Sequence, residues 1–233
     1  MRPPPEAFYD VFFLLSRGYP RSHALSLVAA RHHLSRPERI LIGRCVHGAE
    51  ESRTVRSKLS PCCRNRCLVV DVFNQLATIY AALSGHRVYR CSDGLTRDAL
   101  LGATGLVVRH AQTLADLASA AVASLAPRHV YLVVDSQPSR SAVLASALRE
   151  AHTRRGLPAA VLLEKKADRR VIELGRTCVA ATSDIVVARR VTALLDLAGY
   201  AIRLFGLDRA VTDITRLLSR HHSSWCRVGG PVA

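Results

Sequence analysis

The chain has 233 residues, of which 49% are hydrophobic, and a formal net charge of +15 at pH 7. This length holds one large domain or two small ones, and the apolar content is ample for a packed core. No apolar run reaches the length of a membrane-spanning helix, and the apolar stretch at 11–15 lacks the cleavage site of a signal peptide. We therefore expect a cytoplasmic protein.

The strong positive charge predicts attraction to polyanions through phosphate contacts and counterion release. Nucleic acid is the first candidate partner, and an anionic membrane surface is the second. A solvated basic surface without any partner is the remaining alternative. The seven cysteines are expected to be reduced in the cytosol.

The N-terminal part, from residue 5 to about residue 46, has apolar residues at the spacing of three short helices. Gly18-Tyr19-Pro20 ends the first helix, and Ser22 can cap the second. Ser35 can cap the third helix, with Glu38 placed to help the free N–H groups of its first turn. We predict a helical N-terminal subdomain over residues 1–50.

This helical unit has two alternative roles. It can support a partner domain, or it can bind DNA as a helix-turn-helix relative does. In the second case, phosphate contacts would come from four arginines, which are Arg31, Arg36, Arg39 and Arg44.

Residues 51–66 are polar and basic, which predicts a linker or surface loop at a domain boundary. The remainder, residues 67–233, alternates between short apolar strands and helices. Strands are predicted at 68–70, 87–91, 130–134, 159–163 and 178–181, with a sixth at 200–205. Helices are predicted at 74–84, 109–125, 139–155, 184–197 and 208–220, with a helical turn at 171–174. This alternation indicates an α/β fold with a doubly wound, mostly parallel sheet.

Four of the predicted strands run into an aspartate, namely Asp71, Asp93, Asp135 and Asp184. A fifth, Asp168, follows the strand at 159–163 after a four-residue spacer. Ligands of open α/β sheets bind at the carboxyl ends of the strands, so these side chains are expected to converge. The alternative is that each aspartate caps the next helix or stabilises a turn.

Converging carboxylates repel each other and are costly to desolvate unless a cation holds them. Hard oxygen ligands suit Mg²⁺ or Mn²⁺, which polarise a phosphodiester and activate an attacking water. A basic surface around an acidic pocket therefore predicts a protein that binds a nucleic acid and cuts it.

Two short motifs resemble those of PIN-like and NYN nucleases. Asp71-Val72-Phe73-Asn74 resembles their first-strand Asp-x-x-Asn element, and Ala181-Thr182-Ser183-Asp184 resembles their closing Thr/Ser-Asp element. The whole chain resembles an uncharacterised, mainly archaeal two-domain family, known as domains of unknown function 434 and 5616. That wider resemblance is carried by Gly18-Tyr19-Pro20-Arg21, Ala82-Leu83-Ser84-Gly85, the segments 92–98 and 135–139, and Thr182-Ser183-Asp184.

The PIN-like resemblance implies a three-layer α/β/α domain that hydrolyses RNA with Mg²⁺ or Mn²⁺. Asp71 and Asp184 would be metal ligands, and Asp135 would be a third ligand or would position water. Asp93 would complete the catalytic set. The orienting and substrate-binding residues would be Asn74, Ser136, Thr182, Ser183 and Arg97.

Two of these residues also have local explanations. Arg97 can contact a phosphate or form a salt bridge beside the Asp93-Gly94 turn. Ser136 belongs to a hydroxyl-rich segment before a helix, where free N–H groups can hold an anion or receive a cap from Ser139.

The resemblance to PIN domains has gaps. The helix at 74–84 lacks the acid that these domains usually carry, so Asp98 or Asp116 would have to replace it. Ile185 and Val186 stand where a further acid often follows. A non-catalytic module that binds RNA or a ribonucleoprotein is therefore an alternative, and a DNA-binding regulator is another.

Overall fold

The computed structural model describes residues 3–100 and 102–219. The N-terminal helices are α1 (Pro5–Ser16), α2 (Arg21–Arg31), α3 (Arg36–Cys45) and α4 (Ala49–Arg56). The strands are β1 (Cys67–Asp71), β2 (Val88–Arg90), β3 (Thr96–Asp98), β4 (His129–Asp135), β5 (Ala159–Glu164), β6 (Val179–Ala181), β7 (Ala193–Leu194) and β8 (Val211–Asp213). The other helices are α5 (Val72–Leu83), α6 (Ala103–Arg109), α7 (Ala111–Leu125), α8 (Ser141–Arg154), α9 (Ala167–Leu174), α10 (Ile185–Ala188), α11 (Leu197–Leu204) and α12 (residues 214–219).

The three predicted N-terminal helices are confirmed. At the start of α3, Glu38 Oε2 accepts hydrogen bonds from the backbone N of Ser35 at 2.9 Å and from its hydroxyl at 2.6 Å. The expected cap of α2 is wrong, because the helix already begins at Arg21 and Pro20 occupies the cap position. The fixed φ of proline suits that position without a side-chain cap.

Part of the predicted linker is a helix instead. In α4 the buried positions are Ser52 and Val55, while Arg53 and Arg56 occupy the last turn. Val55 packs with Val69 and Leu194 in the core beneath the main sheet. A short helix with one buried aliphatic side chain has little apolar periodicity, which is why its composition resembled a loop.

The main sheet has five strands in the order β5-β4-β1-β6-β7, and all of its pairs are parallel. Alternate residues of β1 face opposite cores. Leu68 and Val70 pack with α5, α7, α8 and α11 on one face, and Val69 packs with α9 and α10 on the other. The sheet therefore lies between two helical layers, as the continuous apolar runs of its strands require. The α/β class and the parallel sheet are confirmed.

The predicted strand at 87–91 lies in a different sheet. As β2 it pairs antiparallel with β3 and parallel with β8. Asp93-Gly94 reverses the chain between β2 and β3, and Gly94 adopts a φ of +87°, which glycine tolerates without strain. The N-terminal helices pack against Tyr89 of β2, Cys91 directly after it, and Ile214 at the start of α12.

Three predictions in the last third of the chain are wrong. Residues 184–197 form α10, a loop and β7 rather than one helix, and residues 200–205 belong to α11 and its end rather than to a strand. Asp196 starts α11 by accepting from Gly199 N at 3.2 Å, and it also binds the Thr96 hydroxyl at 2.7 Å. Residues 208–219 form a 3₁₀ turn, β8 and α12, and residue 220 lies outside the described residues.

The predicted helix at 109–125 is confirmed as α7, and a further helix that was not predicted, α6, precedes it and meets it at His110. A disulfide joins Cys67 and Cys178, which stand side by side at the start of β1 and just before β6. This differs from the expectation of reduced cysteines. Within the described residues, no helix combines the length and apolarity needed to cross a membrane.

Candidate active site

Four aspartates gather at the carboxyl edge of the main sheet, and we call them the acidic cluster: Asp71, Asp135, Asp168 and Asp184. Asp71 ends β1, Asp135 ends β4, and Asp184 follows β6 after two residues. Asp168 lies in the first turn of α9, directly after β5. The chain leaves β1 toward β4 and β5 on one side and returns to β6 and β7 on the other. Asp71 and Asp184 therefore flank the switch point where ligands of such sheets bind.

The carboxylates of the cluster influence one another. The pKa of Asp71 is raised to about 7, mainly by burial and also by the nearby charges of Asp168 and Asp184, against a lowering hydrogen bond from Thr182. Burial also raises the pKa of Asp168, with Asp184 and Asp135 adding to that effect. Among the residues that the structure describes, no cation forms an ion pair with any of the four. Negative charge is thus concentrated here without an ion-pair partner in the described residues.

Two hydrogen-bond links fix the geometry of this edge. Thr182 Oγ1 donates to Asp71 Oδ2 at 2.9 Å and accepts from the backbone N of Asp184 at 3.2 Å. Asn74 Oδ1 accepts from the backbone N of Ser183 at 2.9 Å and from the Ser183 hydroxyl. The structure therefore brings the predicted orienting residues Asn74, Thr182 and Ser183 together with Asp71 and Asp184.

Asp135 and Asp184 also have local structural roles. Asp184 Oδ1 caps α10 by accepting from Val186 N at 2.7 Å and Val187 N at 3.0 Å. Asp135 Oδ1 accepts from Gln137 N at 2.9 Å. In both residues Oδ2 has no hydrogen-bond partner within 3–100 and 102–219, so one oxygen stays available for a ligand. Over the same residues, no set of three or more His, Cys, Asp or Glu side chains forms a ready-made metal cage.

The structure does not bring Asp93 into the acidic cluster. Asp93 is fully buried, and Arg97 Nη1 and Nη2 donate to its two carboxylate oxygens at 2.7 Å and 2.6 Å. Burial would raise the pKa of Asp93, but the Arg97 guanidinium and His47 hold it below its usual value. Arg97 is itself 3% exposed, and its Nε donates to the Ser183 carbonyl at 2.6 Å. Of the two alternatives for Arg97, the structure shows the salt bridge with Asp93, and each of its three guanidinium nitrogens donates to a protein acceptor.

The two acids considered as replacements for the missing helix acid lie elsewhere. Asp98 is 1% exposed, accepts from the Thr78 hydroxyl at 3.1 Å and lies 3.4 Å from Arg44 Nη1. Asp116 pairs with Arg154 on the outer surface of α7 and α8. The acid that does join the cluster is Asp168. Asp168 was the fifth aspartate expected to converge at the strand ends, and the first turn of α9 carries it there.

Ser136 lies at the exposed rim of the site. Its backbone N donates to the Glu164 carbonyl at 3.0 Å, and Gln137 Nε2 donates to the Lys165 carbonyl at 3.0 Å. These bonds hold together the loops that follow β4 and β5.

A cavity of about 550 Å³ adjoins the cluster between these two loops, α9 and α10. Asp135 and Asp168 line it together with four exposed cations, namely Lys165, Lys166, Arg169 and Arg190. In the part of the chain that is described, none of these four cations is in an ion pair. The mixed run from Glu164 to Arg170 was the sequence signal for this basic rim, and it was not recognised.

Comparison with known proteins gives a family but no activity. The family described as "Domain of unknown function (DUF5616)" matches residues 61–200, and the family described as "Protein of unknown function (DUF434)" matches residues 5–58. The uncharacterized protein MJ0935 of Methanocaldococcus jannaschii is 27% identical over 202 residues, which are 83% of this chain and 93% of that protein. No solved structure matches. Because the first match covers more than half of its length, the chain belongs to the DUF5616 family.

Proposed function

We propose that this protein is a divalent-metal-dependent ribonuclease that hydrolyses phosphodiesters at the acidic cluster. The observation that carries the proposal is the uncompensated charge of the cluster. In a chain of net charge +15, these four carboxylates lack an ion-pair partner within the described residues, and burial together with neighbouring carboxylates raises the pKa of Asp71 and of Asp168. Holding ionised carboxylates close together costs free energy unless a cation binds between them.

The residues fit Mg²⁺ or Mn²⁺ in a partly hydrated form. Mg²⁺ is commonly held by one or two carboxylates, with water and substrate phosphate completing its coordination, so a cage of three or more side chains is not needed. Asp71 and Asp184 would hold the ion, because Thr182 ties them together. Asp168 and Asp135 would bind its waters. When bound, the ion would polarise the phosphodiester and lower the pKa of the attacking water.

The chain's own side chains would bind and orient the substrate. Thr182 and Asn74 fix the edge that carries Asp71 and Asp184, so the carboxylates need little reorganisation when substrate arrives. The basic rim would neutralise phosphates of the bound strand, since Lys and Arg without intramolecular partners are available for phosphate contacts. RNA is the expected polymer because of the motif resemblance at 71–74 and 181–184.

Cleavage assays with matched variants test this proposal. End-labelled single-stranded RNA, structured RNA and duplex DNA are incubated with the protein and Mn²⁺, and then with a chelator. We expect RNA cleavage that the chelator abolishes and that Asp71→Asn and Asp184→Asn each reduce at least about a hundredfold, since a metal ligand should matter no less than its outer-shell partners. Asp116→Asn removes an equal charge far from the site and should leave cleavage unchanged. Cleavage that survives both site variants would refute the proposal.

A non-catalytic RNA-binding module is the second candidate. The observation that favours it is the local use of Asp135 and Asp184 as turn and cap residues, together with the lack of a ready-made cage in the described ranges. In the same assay, this candidate predicts RNA binding that does not depend on metal and no cleavage. Strong preference for one duplex DNA sequence would instead favour a regulator that acts through the N-terminal helices.

A further inference from the structure

A second, smaller cavity lies on the other side of Asp184. Its volume is about 160 Å³, and it lies between α3 and the carboxyl edge of β6. The side chains that matter here are those of Arg44, His47, Asn74, Arg97, Ser183 and Asp184. Three of them, Asn74, Ser183 and Asp184, belong to the candidate active site. The cavity therefore adjoins the place where a scissile phosphate would bind.

Several hydrogen-bond donors at this cavity have donor capacity that no acceptor in the described part of the chain fully uses. Because Ser183 N must donate to the amide oxygen of Asn74, the amide NH₂ of Asn74 is left for another partner. Arg44 is 39% exposed, and its one ion pair in the described part of the chain is a long contact of 3.4 Å with Asp98. Both groups are positioned to donate to an anion.

The buried side chain of His47, which lines the cavity, supplies a third hydrogen-bond donor. It is 1% exposed, and its Nδ1 lies 2.9 Å from Arg21 Nη2. A guanidinium only donates, so the Arg21 contact needs Nδ1 as an acceptor, but Nδ1 also lies 3.4 Å from Glu51 Oε2, which a protonated Nδ1 would bind. Nε2 carries a proton in both the tautomer that accepts from Arg21 and the charged imidazolium. Nε2 is buried without a hydrogen-bond partner among the described residues, and the nearest carboxylate, Asp93, is 3.6 Å away and already bound by Arg97. A buried donor left unpaired is unfavourable, so an acceptor in this cavity would be stabilising.

The size and donor set together define the ligand class. At about 30 Å³ per water, the cavity holds roughly five waters, which suits a phosphoryl group and is well below the size of ligand pockets that accept a nucleoside. Charged donors such as Arg44, together with planar N–H donors, match phosphate oxygens. The larger cavity on the opposite side of the cluster has room for a nucleoside and a cationic rim for the following phosphates.

We propose that the smaller cavity binds a terminal phosphate monoester of the nucleic-acid strand, so that the enzyme acts from a phosphorylated end. This inference rests on the proposed nuclease function. The strand would place its terminal phosphate beside Arg44 and Asn74, its first phosphodiester at Asp71 and Asp184, and its continuing backbone along the basic rim.

Binding measurements on the unaltered protein test this directly. One RNA ten-mer is prepared with a 5′-phosphate, with a 3′-phosphate and with hydroxyls at both ends, and affinity is measured by fluorescence anisotropy in Ca²⁺. We expect one phosphorylated form to bind at least about tenfold more tightly than the hydroxyl form, and which form it is identifies the end that enters. Equal affinities of all three would overturn the proposal, even if cleavage by the acidic cluster is demonstrated.

Substitutions around the smaller cavity test whether the preference for a phosphorylated end arises there. Arg44→Gln should remove most of the preference for the phosphorylated end and leave the affinity for the hydroxyl form nearly unchanged. Arg36→Gln removes an exposed charge from the same helix and should preserve the preference. Because Arg44 also contacts the buried Asp98, Ile185→Trp, which narrows the cavity from its edge, provides an independent variant that should have the same effect. A preference that persists in both variants would place the phosphate elsewhere and contradict the assignment.

Discussion

Asp71 and Asp93 both follow a strand, yet the structure gives their carboxylates opposite surroundings. Asp93 is fully buried and bound through both oxygens by Arg97, whereas Asp71 is nearly as buried but accepts from the neutral Thr182 and lies near two further carboxylates. The pKa of Asp93 is lowered, and that of Asp71 is raised to about 7. The position of an aspartate at a strand end therefore does not define a site; the presence or absence of a compensating cation does.

The largest expected effect comes from breaking the compensated pair. Arg97→Met leaves the Asp93 carboxylate buried and unpaired, and we expect it to lower the free energy of unfolding by about 3–5 kcal/mol. Urea denaturation measures this value. Arg190→Met, at an exposed arginine without an ion pair in the described part, is the control and should change stability by less than about 0.5 kcal/mol. A small loss in Arg97→Met would mean that the pair is weaker than its geometry indicates.

Removing the charge of Asp71, which has no ion-pair partner in the described residues, should raise the free energy of unfolding, whereas Arg97→Met should lower it. The pKa of Asp71 is about 7 in the folded state against an ordinary 3.8, so the folded protein binds more protons than the unfolded chain between these values. The contribution of Asp71 to the free energy of unfolding therefore falls as pH rises from about 4 to about 7. Asp71→Asn does not titrate, and without metal it should become more stable than the parent by up to about 4 kcal/mol at pH 8, with little advantage at pH 4. Thermal unfolding across this pH range measures the difference, and an advantage that does not change with pH would contradict the raised pKa.

A smaller loss is expected at the link between Asp71 and Asp184. Thr182→Val removes the hydroxyl that donates to the ionised Asp71, and it should cost about 1.5–3 kcal/mol at pH 8. Thr182→Ser keeps the hydroxyl and should retain most of that stability. A loss in Thr182→Ser as large as that in Thr182→Val would show that the hydroxyl contributes no more to stability than the methyl group does. Urea unfolding at pH 8 distinguishes the two.

The smallest effect is expected for an exposed pair. Asp116 and Arg154 lie on the surface of α7 and α8, where water screens their attraction. Asp116→Asn should change the free energy of unfolding by less than about 1 kcal/mol. A loss close to that of Arg97→Met would show that burial does not explain the different contributions of the two ion pairs to stability.

Local sequence signals predicted much of the fold. The apolar runs of β1, β4, β5 and β6 and the periodicity of α1, α2 and α3 depend on neighbouring residues, so they were readable. The errors lie where distant contacts decide the structure. Leu194 N bonds to the Lys58 carbonyl, and Asp196 caps α11 while also binding Thr96, so neither β7 nor the start of α11 has a local signature.

The candidate site was predictable only in part, for the same reason. Asp71, Asn74 and Thr182 follow directly from the two short motifs, and the structure places them together with Asp184. Asp93 was misplaced because the hairpin that its own Asp-Gly turn creates lies in the second sheet. The basic rim depends on how α9 and α10 face each other across the edge, which the order of residues alone does not reveal.

Direct measurement of Mn²⁺ binding by electron paramagnetic resonance tests the central claim that the acidic cluster holds a divalent ion. The account predicts saturable binding to the wild-type protein that is lost in Asp71→Asn and in Asp184→Asn and retained in Asp116→Asn. Binding that is equal in all four proteins, or absent from the wild type with and without RNA, would contradict it.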